Sequence, residues 1–226
     1  MIRVGSLIKV GFIGHKTEDI MMYLSRIILN MGKRVAVFDA SNEQILRYYA
    51  PNIDESSNVT NYRNIDFYSS CQSIEAHCKI EFSKYDVVLI NYGYNTELLD
   101  EYSSCSHKFI VTDLERHSIL KMKNTCSKLN KSIEIFRVFR DVVNCKIDEK
   151  YINNVLDNVM VKILNDYIIF HDDNELICKI ESQYNDIFKF NKLPKFFKDI
   201  LLDILNSLGF DKKSSVKALK ISEKGV

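Results

Sequence analysis

Short apolar runs alternate with longer segments of helical periodicity along most of this chain. Residues 7–13 and 34–38 are apolar runs of strand length, and residues 19–31 between them repeat apolar side chains every three or four positions. This pattern predicts a strand, a helix and a second strand, and Gly32 stands where glycine commonly ends a helix. Later apolar runs predict strands at 87–90, 108–111, 133–138 and 167–170, and helical patterns cover 118–129, 150–164 and 196–208.

The alternation of strands and helices predicts the fold class. Strands joined through helices form βαβ units, and right-handed crossovers then place the strands parallel in one sheet. We therefore expect an α/β fold of three layers, in which helices flank a mainly parallel sheet. One domain is predicted over residues 1–210, followed by a Lys-rich, flexible tail over 211–226. Residues 41–84 give a weak pattern with one short strand near 65–68, and the conformation of 52–70 is left open.

Composition and charge narrow the function classes. The chain has 226 residues and a net charge of +1, so it shows no strong signal for nucleic-acid binding. No signal peptide and no membrane-length apolar segment is recognised, and we expect a cytoplasmic protein. No pair of the six cysteines has C-x-x-C spacing, which favours unpaired thiols over a metal site. The cysteines are Cys71, Cys78, Cys105, Cys126, Cys145 and Cys178.

The most informative stretch for chemistry is Gly11-Phe-Ile-Gly-His-Lys-Thr17, which lies between the first strand and the first helix. A helix N-terminus offers free N–H groups and a partial positive charge, lysine adds a full charge, and a threonine hydroxyl can bind magnesium. The full phosphate-binding loop is G-x-x-x-x-G-K-[ST], and this stretch is shorter than that pattern. Phosphate binding and a plain strand-to-helix turn with a solvated lysine are both compatible with these residues.

Several blocks in the same order resemble the ParA/MinD-type ATPases. Lys16-Thr17 is followed by a helix and then by Gly32-Lys-Arg-Val-Ala-Val-Phe-Asp-Ala40, which is similar to the family's G-K-x-V-x-x-x-D-x-D block. The block Tyr85-Asp-Val-Val-Leu-Ile-Asn-Tyr-Gly93 looks like the switch strand Y-D-x-V-x-x-D-x-x-x-G. Residues 109–121 and, more weakly, 167–173 resemble the later strands of the family.

The resemblance implies ATP and Mg²⁺ as cofactors, and it implies a set of nucleotide-binding residues at the carboxyl ends of the strands. These residues are Gly14, His15, Lys16, Thr17, Asp39 and Asn91. Thr17 and Asp39 would be the metal ligands. The departures are a Walker A loop shortened by about three or four residues, no match for the family's additional loop lysine, and Asn91 at the position of the switch aspartate. An amide lacks the negative charge that a magnesium site uses.

The resemblance therefore predicts a degenerate ParA/MinD-like protein that hydrolyses ATP weakly or not at all. It would act as a positioning or assembly factor, as proteins of the TadZ/CpaE branch do, and would bind a protein partner of an assembly or localisation system. A homodimer is expected across the face that carries Gly14, Lys16, Asp39 and Asn91. A slow ATPase that uses Lys16, Thr17 and Asp39 is the first alternative.

Two further alternatives use the same residues differently. The first two strands could form an NAD-binding unit in which Asp39 holds the adenosine ribose, although residues 15–19 lack the glycines of that fingerprint. The helix over 196–208, with its apolar stripe and the lysines after it, could contact a membrane surface, as MinD-type proteins do near the C-terminus. Packing of that helix against the sheet is the other interpretation.

Overall fold

One eight-stranded sheet organises the computed structural model, which describes residues 7–49, 59–69, 82–130, 132–156, 161–184 and 190–225. The strands are β1 (Ile8–Gly14), β2 (Val35–Asp39), β3 (Val59–Tyr62), β4 (Ile65–Tyr68), β5 (Val87–Gly93), β6 (His107–Thr112), β7 (Glu134–Val142) and β8 (Lys162–Phe170). The helices are α1 (Glu18–Asn30), α2 (Leu99–Ser103), α3 (Arg116–Lys128), α4 (Glu149–Val155), α5 (Asp173–Tyr184), α6 (Lys195–Ser207) and α7 (Lys212–Ser222). Short 3₁₀ turns cover Ile45–Tyr48, Phe82–Lys84 and Thr96–Leu98.

The strand order is β3-β4-β2-β5-β1-β6-β7-β8, and every neighbouring pair is parallel except β3 with β4. The prediction of an α/β fold with a mainly parallel sheet is confirmed. Strand β5 lies between β1 and β2. In a dinucleotide-binding sheet the first two strands are direct neighbours, with order 3-2-1-4-5-6. The observed order therefore contradicts the NAD-binding alternative.

Helices cover both faces of the sheet and complete the three layers. Alternate residues of β1 point to opposite faces, so that Val10 and Phe12 belong to one apolar cluster and Ile13 belongs to the other. The first cluster includes the apolar residues of α1 and α6, and the second includes those of α2 and α3. The core is thus divided by the sheet, and the carboxyl ends of its central strands meet at one edge.

Helix α6 turns its apolar stripe into the core rather than outward. Phe197, Leu201, Ile204 and Leu205 are fully buried, and the helix contacts α1, α7 and β8. The structure therefore favours packing of this helix against the core over the membrane-contact alternative, because these four apolar residues are enclosed. Within the described ranges, every helix is too short or too polar to cross a bilayer.

The C-terminal segment differs from the predicted flexible tail. Residues 212–222 form α7, whose first turn is capped by the Asp211 carboxylate accepting from the Ser214 N–H at 2.8 Å. The helix packs against α1 with a narrow face of mostly small side chains. This buried face consists of Ser215, Ala218, Leu219 and Ser222. Serine and alanine give a weak hydrophobic signal, so the lysines on the outer face dominated the prediction.

Two other elements differ from the sequence prediction. The predicted helix over 150–164 ends as α4 at Val155, and residues from Lys162 onward belong to β8, which pairs with β7. Helix α5 was not predicted, because only its Glu175, Cys178 and Ser182 are buried, while several of its apolar residues are exposed. Of the cysteines, Cys71 and Cys78 lie outside the described residues, and the other four form no disulfide in the part of the chain that the structure describes.

Candidate functional site

The predicted site residues lie together at the carboxyl edge of the central strands. Gly14 ends β1, Asp39 ends β2, and Asn91 lies in β5 directly beside Asp39 in the sheet. His15, Lys16 and Thr17 connect β1 to α1. The fold therefore brings these six residues into one neighbourhood, as expected from the parallel sheet.

The connection between β1 and α1 is tight because Gly14 packs directly on β6. Gly14 has φ +122°, and a Cβ atom on it would lie 1.8 Å from the carbonyl oxygen of Val111. Only glycine has the backbone freedom and the space for this position. Lys16 also has a positive φ, at +57°. This turn is compact and lies against the sheet, unlike an extended loop that surrounds a phosphate chain.

Thr17, Asn91 and Asp39 form a buried chain of hydrogen bonds. The Thr17 hydroxyl donates to Asn91 Oδ1 at 3.1 Å, and the Asn91 amide donates to Asp39 Oδ1 at 3.3 Å. All three residues are at most 1% exposed. The Asn91 side chain therefore lies between the two predicted metal ligands and contacts both.

Both oxygens of the Asp39 carboxylate already accept hydrogen bonds from other residues of the chain. Its Oδ1 accepts from the Ser41 hydroxyl at 2.6 Å, and its Oδ2 accepts from the Leu46 N–H at 2.9 Å. Burial raises the pKa of Asp39, and the hydrogen bonds from Ser41, Leu46 and Asn91 partly oppose that shift. In the described part of the chain, no cluster of three or more His, Cys, Asp or Glu side chains could hold a metal ion.

Lys16 is held by two carboxylates that the sequence analysis did not assign to the site. Its ammonium lies 2.9 Å from Asp113 Oδ2 and 2.7 Å from Asp141 Oδ2. Burial would lower the pKa of Lys16, but the hydrogen bonds to Asp141 and Asp113 outweigh burial and raise it. Burial likewise opposes ionisation of Asp113, yet His15 and Lys16 hold its pKa below the usual range. Lys16 is therefore a protonated cation engaged within the chain.

His15 extends the same cluster. Its Nε2 lies 3.0 Å from Asp113 Oδ2 and its Nδ1 lies 3.2 Å from the Tyr94 hydroxyl. The sequence placed Asp113 on a charged helix surface, whereas the structure buries it at 3% exposure. One signal could have found it, since Asp113 directly follows β6 at the edge where ligands bind in parallel sheets.

The first turn of α1 places two carboxyl groups beside this turn. Glu18 and Asp19 are both buried there, and Asp19 forms an ion pair with the buried Arg140 of β7. Carboxylates at a helix N-terminus stabilise the helix dipole, but they also repel an incoming phosphate. The internal contacts of Lys16, Thr17 and Asp39 leave these three side chains unavailable to a bound Mg–ATP in this conformation.

Glu18 supplies a pH-dependent prediction. Burial, reinforced by Asp19 and Asp39, raises its pKa from 4.5 to about 7, and no ion pair to Glu18 occurs among the described residues. The neutral form is therefore favoured on folding, and the stability that it supplies is complete below pH 4.5 and is lost as the pH rises through 7. Glu18→Gln should raise the free energy of unfolding by roughly 2–3 kcal/mol at pH 8 and by under about 1 kcal/mol at pH 5.

Urea denaturation of wild type and Glu18→Gln at both pH values measures this difference. Glu97→Gln is the matched control, because Glu97 is exposed and its replacement should have little effect at either pH. An equal gain for Glu18→Gln at pH 5 and pH 8 would mean that Glu18 does not titrate as its burial requires.

Comparison with known proteins supports the fold. No protein-family model matches this sequence, and no curated protein sequence matches it either. A protein described as a plasmid partition protein of Borrelia burgdorferi B31, solved with AMPPNP, has a TM-score of 0.56 at 15% identity, covering 88% of this chain and 99% of that chain. A ParA family ATPase of Chlorobium tepidum TLS has a TM-score of 0.56 at 14% identity, covering 96% of this chain and 98% of that chain.

A third similar structure is the MinD cell division protein of Aquifex aeolicus, with a TM-score of 0.53 at 11% identity, covering 94% of this chain and 95% of that chain. At this level of identity the comparison shows the fold alone. The chain has the fold of ParA- and MinD-type ATPases, in agreement with the resemblance found in its sequence blocks.

Proposed function

We propose that this chain is a degenerate ParA/MinD-like positioning or assembly factor that acts through self-association or partner binding rather than by efficient ATP hydrolysis. The fold supports the ParA/MinD-like part of the proposal. The observation that carries the rest is the engagement of the Lys16 ammonium by Asp113 and Asp141 at 2.9 and 2.7 Å. A lysine neutralised in this way does not present its charge to a phosphoryl group.

The chemistry of phosphoryl transfer explains why this engagement matters. Catalysis of that reaction depends on lysine, metal ions and a positioned nucleophile, which neutralise and orient the reacting phosphate. Here the lysine is paired internally, and Asn91 brings no charge to the magnesium position. The Thr17 hydroxyl donates to Asn91 instead of facing outward. ATP and Mg²⁺ are predicted ligands, although this conformation does not accommodate them. Membership of a branch near TadZ/CpaE is also a prediction.

The sequence predicted self-association across the face that carries Gly14, Lys16, Asp39 and Asn91, but not all of these residues are accessible. Asp39 and Asn91 are each 1% exposed, so neither can contact a second copy directly. The side chains of His15 and Lys16 are 23% and 31% exposed and lie at the surface of the same edge. A homodimer at this edge would therefore use the turn between β1 and α1 rather than the strand ends beneath it.

The proposal predicts that phosphate release from ATP–Mg stays at background for wild type and for Lys16→Ala alike. Lys213→Ala is a matched control, because Lys213 is exposed on α7, away from the strand edge. A malachite-green assay measures the released phosphate. Release that exceeds background in wild type and Lys213→Ala but is lost in Lys16→Ala would establish the slow ATPase instead.

Light scattering with and without ATP–Mg tests self-association in the same samples. We expect a dimer whose mass does not depend on nucleotide. A dimer that forms only with ATP–Mg would favour the nucleotide-gated alternative. A monomer under both conditions would contradict self-association.

A further inference from the structure

We propose that Lys16, Asp113 and Asp141 form an autoinhibitory latch. In it, the two carboxylates pair with the lysine ammonium that a phosphate anion would otherwise contact. This inference rests on the proposed function, because it states why the fold of a nucleotide-binding protein carries a site that does not fit nucleotide. The ligand class that the latch excludes is a phosphate anion, such as pyrophosphate or the polyphosphate chain of a nucleotide.

The latch joins three separate elements of the sheet edge. Lys16 lies in the turn between β1 and α1, Asp113 directly follows β6, and Asp141 lies near the end of β7. The lysine contacts both carboxylates at 2.9 Å or less, and the Asp113 side chain is only 5% exposed. Because Asp113 is buried, its pair with Lys16 is screened less by salt than a fully exposed ion pair, whereas Lys16 and Asp141 are 31% and 28% exposed.

Both residues of the short Lys16–Asp141 contact lie at irregular positions of the backbone. Lys16 and Asp141 each have a left-handed backbone, with φ +57° and +53°, which is uncommon for residues other than glycine. The pairing of β7 with β8 also shifts register between Phe139 and Val142, and Asp141 lies in that irregular segment. Strained residues persist where the surrounding contacts determine them, and bulges often redirect a side chain beside a functional site.

The charges of the latch explain why it would exclude a phosphate anion. One ammonium and two carboxylates give the latch a net charge of −1, while Asp19 in the adjoining first turn of α1 is paired with Arg140. A phosphate anion meets repulsion at this place. Replacement of both latch carboxylates by amides changes the local charge from −1 to +1 while the side chains keep their shape, so it should expose Lys16 to an anion.

The first test is titration calorimetry with pyrophosphate and with ATP–Mg. The double variant Asp113→Asn/Asp141→Asn should bind pyrophosphate at least about tenfold more tightly than wild type. Adding Lys16→Ala should remove that gain. Asp86→Asn is the matched control, because Asp86 pairs with the exposed Arg34 and not with Lys16. Circular dichroism confirms that each variant is folded. If the double variant does not fold, the single variant Asp141→Asn is titrated in its place.

Reactivity of the Lys16 amine tests the latch without any ligand. Acetylation followed by mass spectrometry should modify Lys16 of wild type several-fold more slowly than the exposed Lys213, and the double variant should remove this difference. Equal rates in wild type, or a folded variant that gains no anion binding, would overturn the latch. Neither result changes the oligomeric state or the phosphate release of wild type, which test the proposed function separately.

Discussion

Replacement of Arg140 by methionine is expected to lower the free energy of unfolding by about 3–5 kcal/mol, because two buried carboxylates lose the guanidinium and, among the described cations, Asp19 keeps only Lys179, 3.9 Å away. Arg140 in β7 is 1% exposed and forms ion pairs with Asp19 of α1 and Glu175 of α5. Its guanidinium carbon also lies 4.9 Å from the centre of the Phe197 ring in α6. One side chain thus connects the sheet to three helices.

Urea denaturation at pH 8 measures this loss, and Arg34→Met provides the contrast. Arg34 pairs with Asp86 at 3.3 Å, but its side chain is 62% exposed. Exposed pairs contribute about 0–1 kcal/mol, so Arg34→Met should change stability little. Similar losses for the two variants would show that burial does not set the cost at Arg140.

Gly14→Ala is expected to cost at least about 3 kcal/mol or to prevent folding, because the added methyl group would overlap the backbone of β6. The nearest atom, the Val111 carbonyl oxygen, lies 1.8 Å from the position of that methyl carbon. Neither β1 nor β6 can move away, since both are central strands paired on both sides. Thermal melting and soluble yield measure the effect.

Gly209→Ala separates steric overlap from backbone conformation. Gly209 also has a positive φ, at +88°, yet a Cβ atom there would meet nothing within 4 Å. Its replacement should cost only the strain of a left-handed residue, on the order of 1 kcal/mol. If both variants lost the same stability, close packing of Gly14 on β6 would not be the cause.

The first part of the fold was predictable because its signals are local. The strand, helix and strand over residues 7–38 follow from apolar periodicity and the stop at Gly32, and the structure places β1, α1 and β2 there. Helix α7 was not predictable in the same way, because its buried face is largely serine and alanine. Its order comes from packing on α1, which the chain reaches only in the folded state.

The candidate site was predictable in its position but not in its contacts. The motif around Lys16 and the strand ends at Asp39 and Asn91 correctly indicated one edge of a parallel sheet. The partners of Lys16 were missed because Asp113 and Asp141 lie about a hundred residues away along the chain and approach only through the sheet order. Pairing of charges across such separations leaves no periodic pattern in a sequence.

The strand order also determines when the edge can assemble during synthesis. Both β1 and β2 pair with β5, through Ile8 with Val87 and Val35 with Val87. A nascent chain that has not yet emerged as far as Val87 therefore has no strand to join its first two, although their sequences are complete. Asp141 emerges later still, and the ribosome must deliver it before the turn at Lys16 acquires its second carboxylate partner.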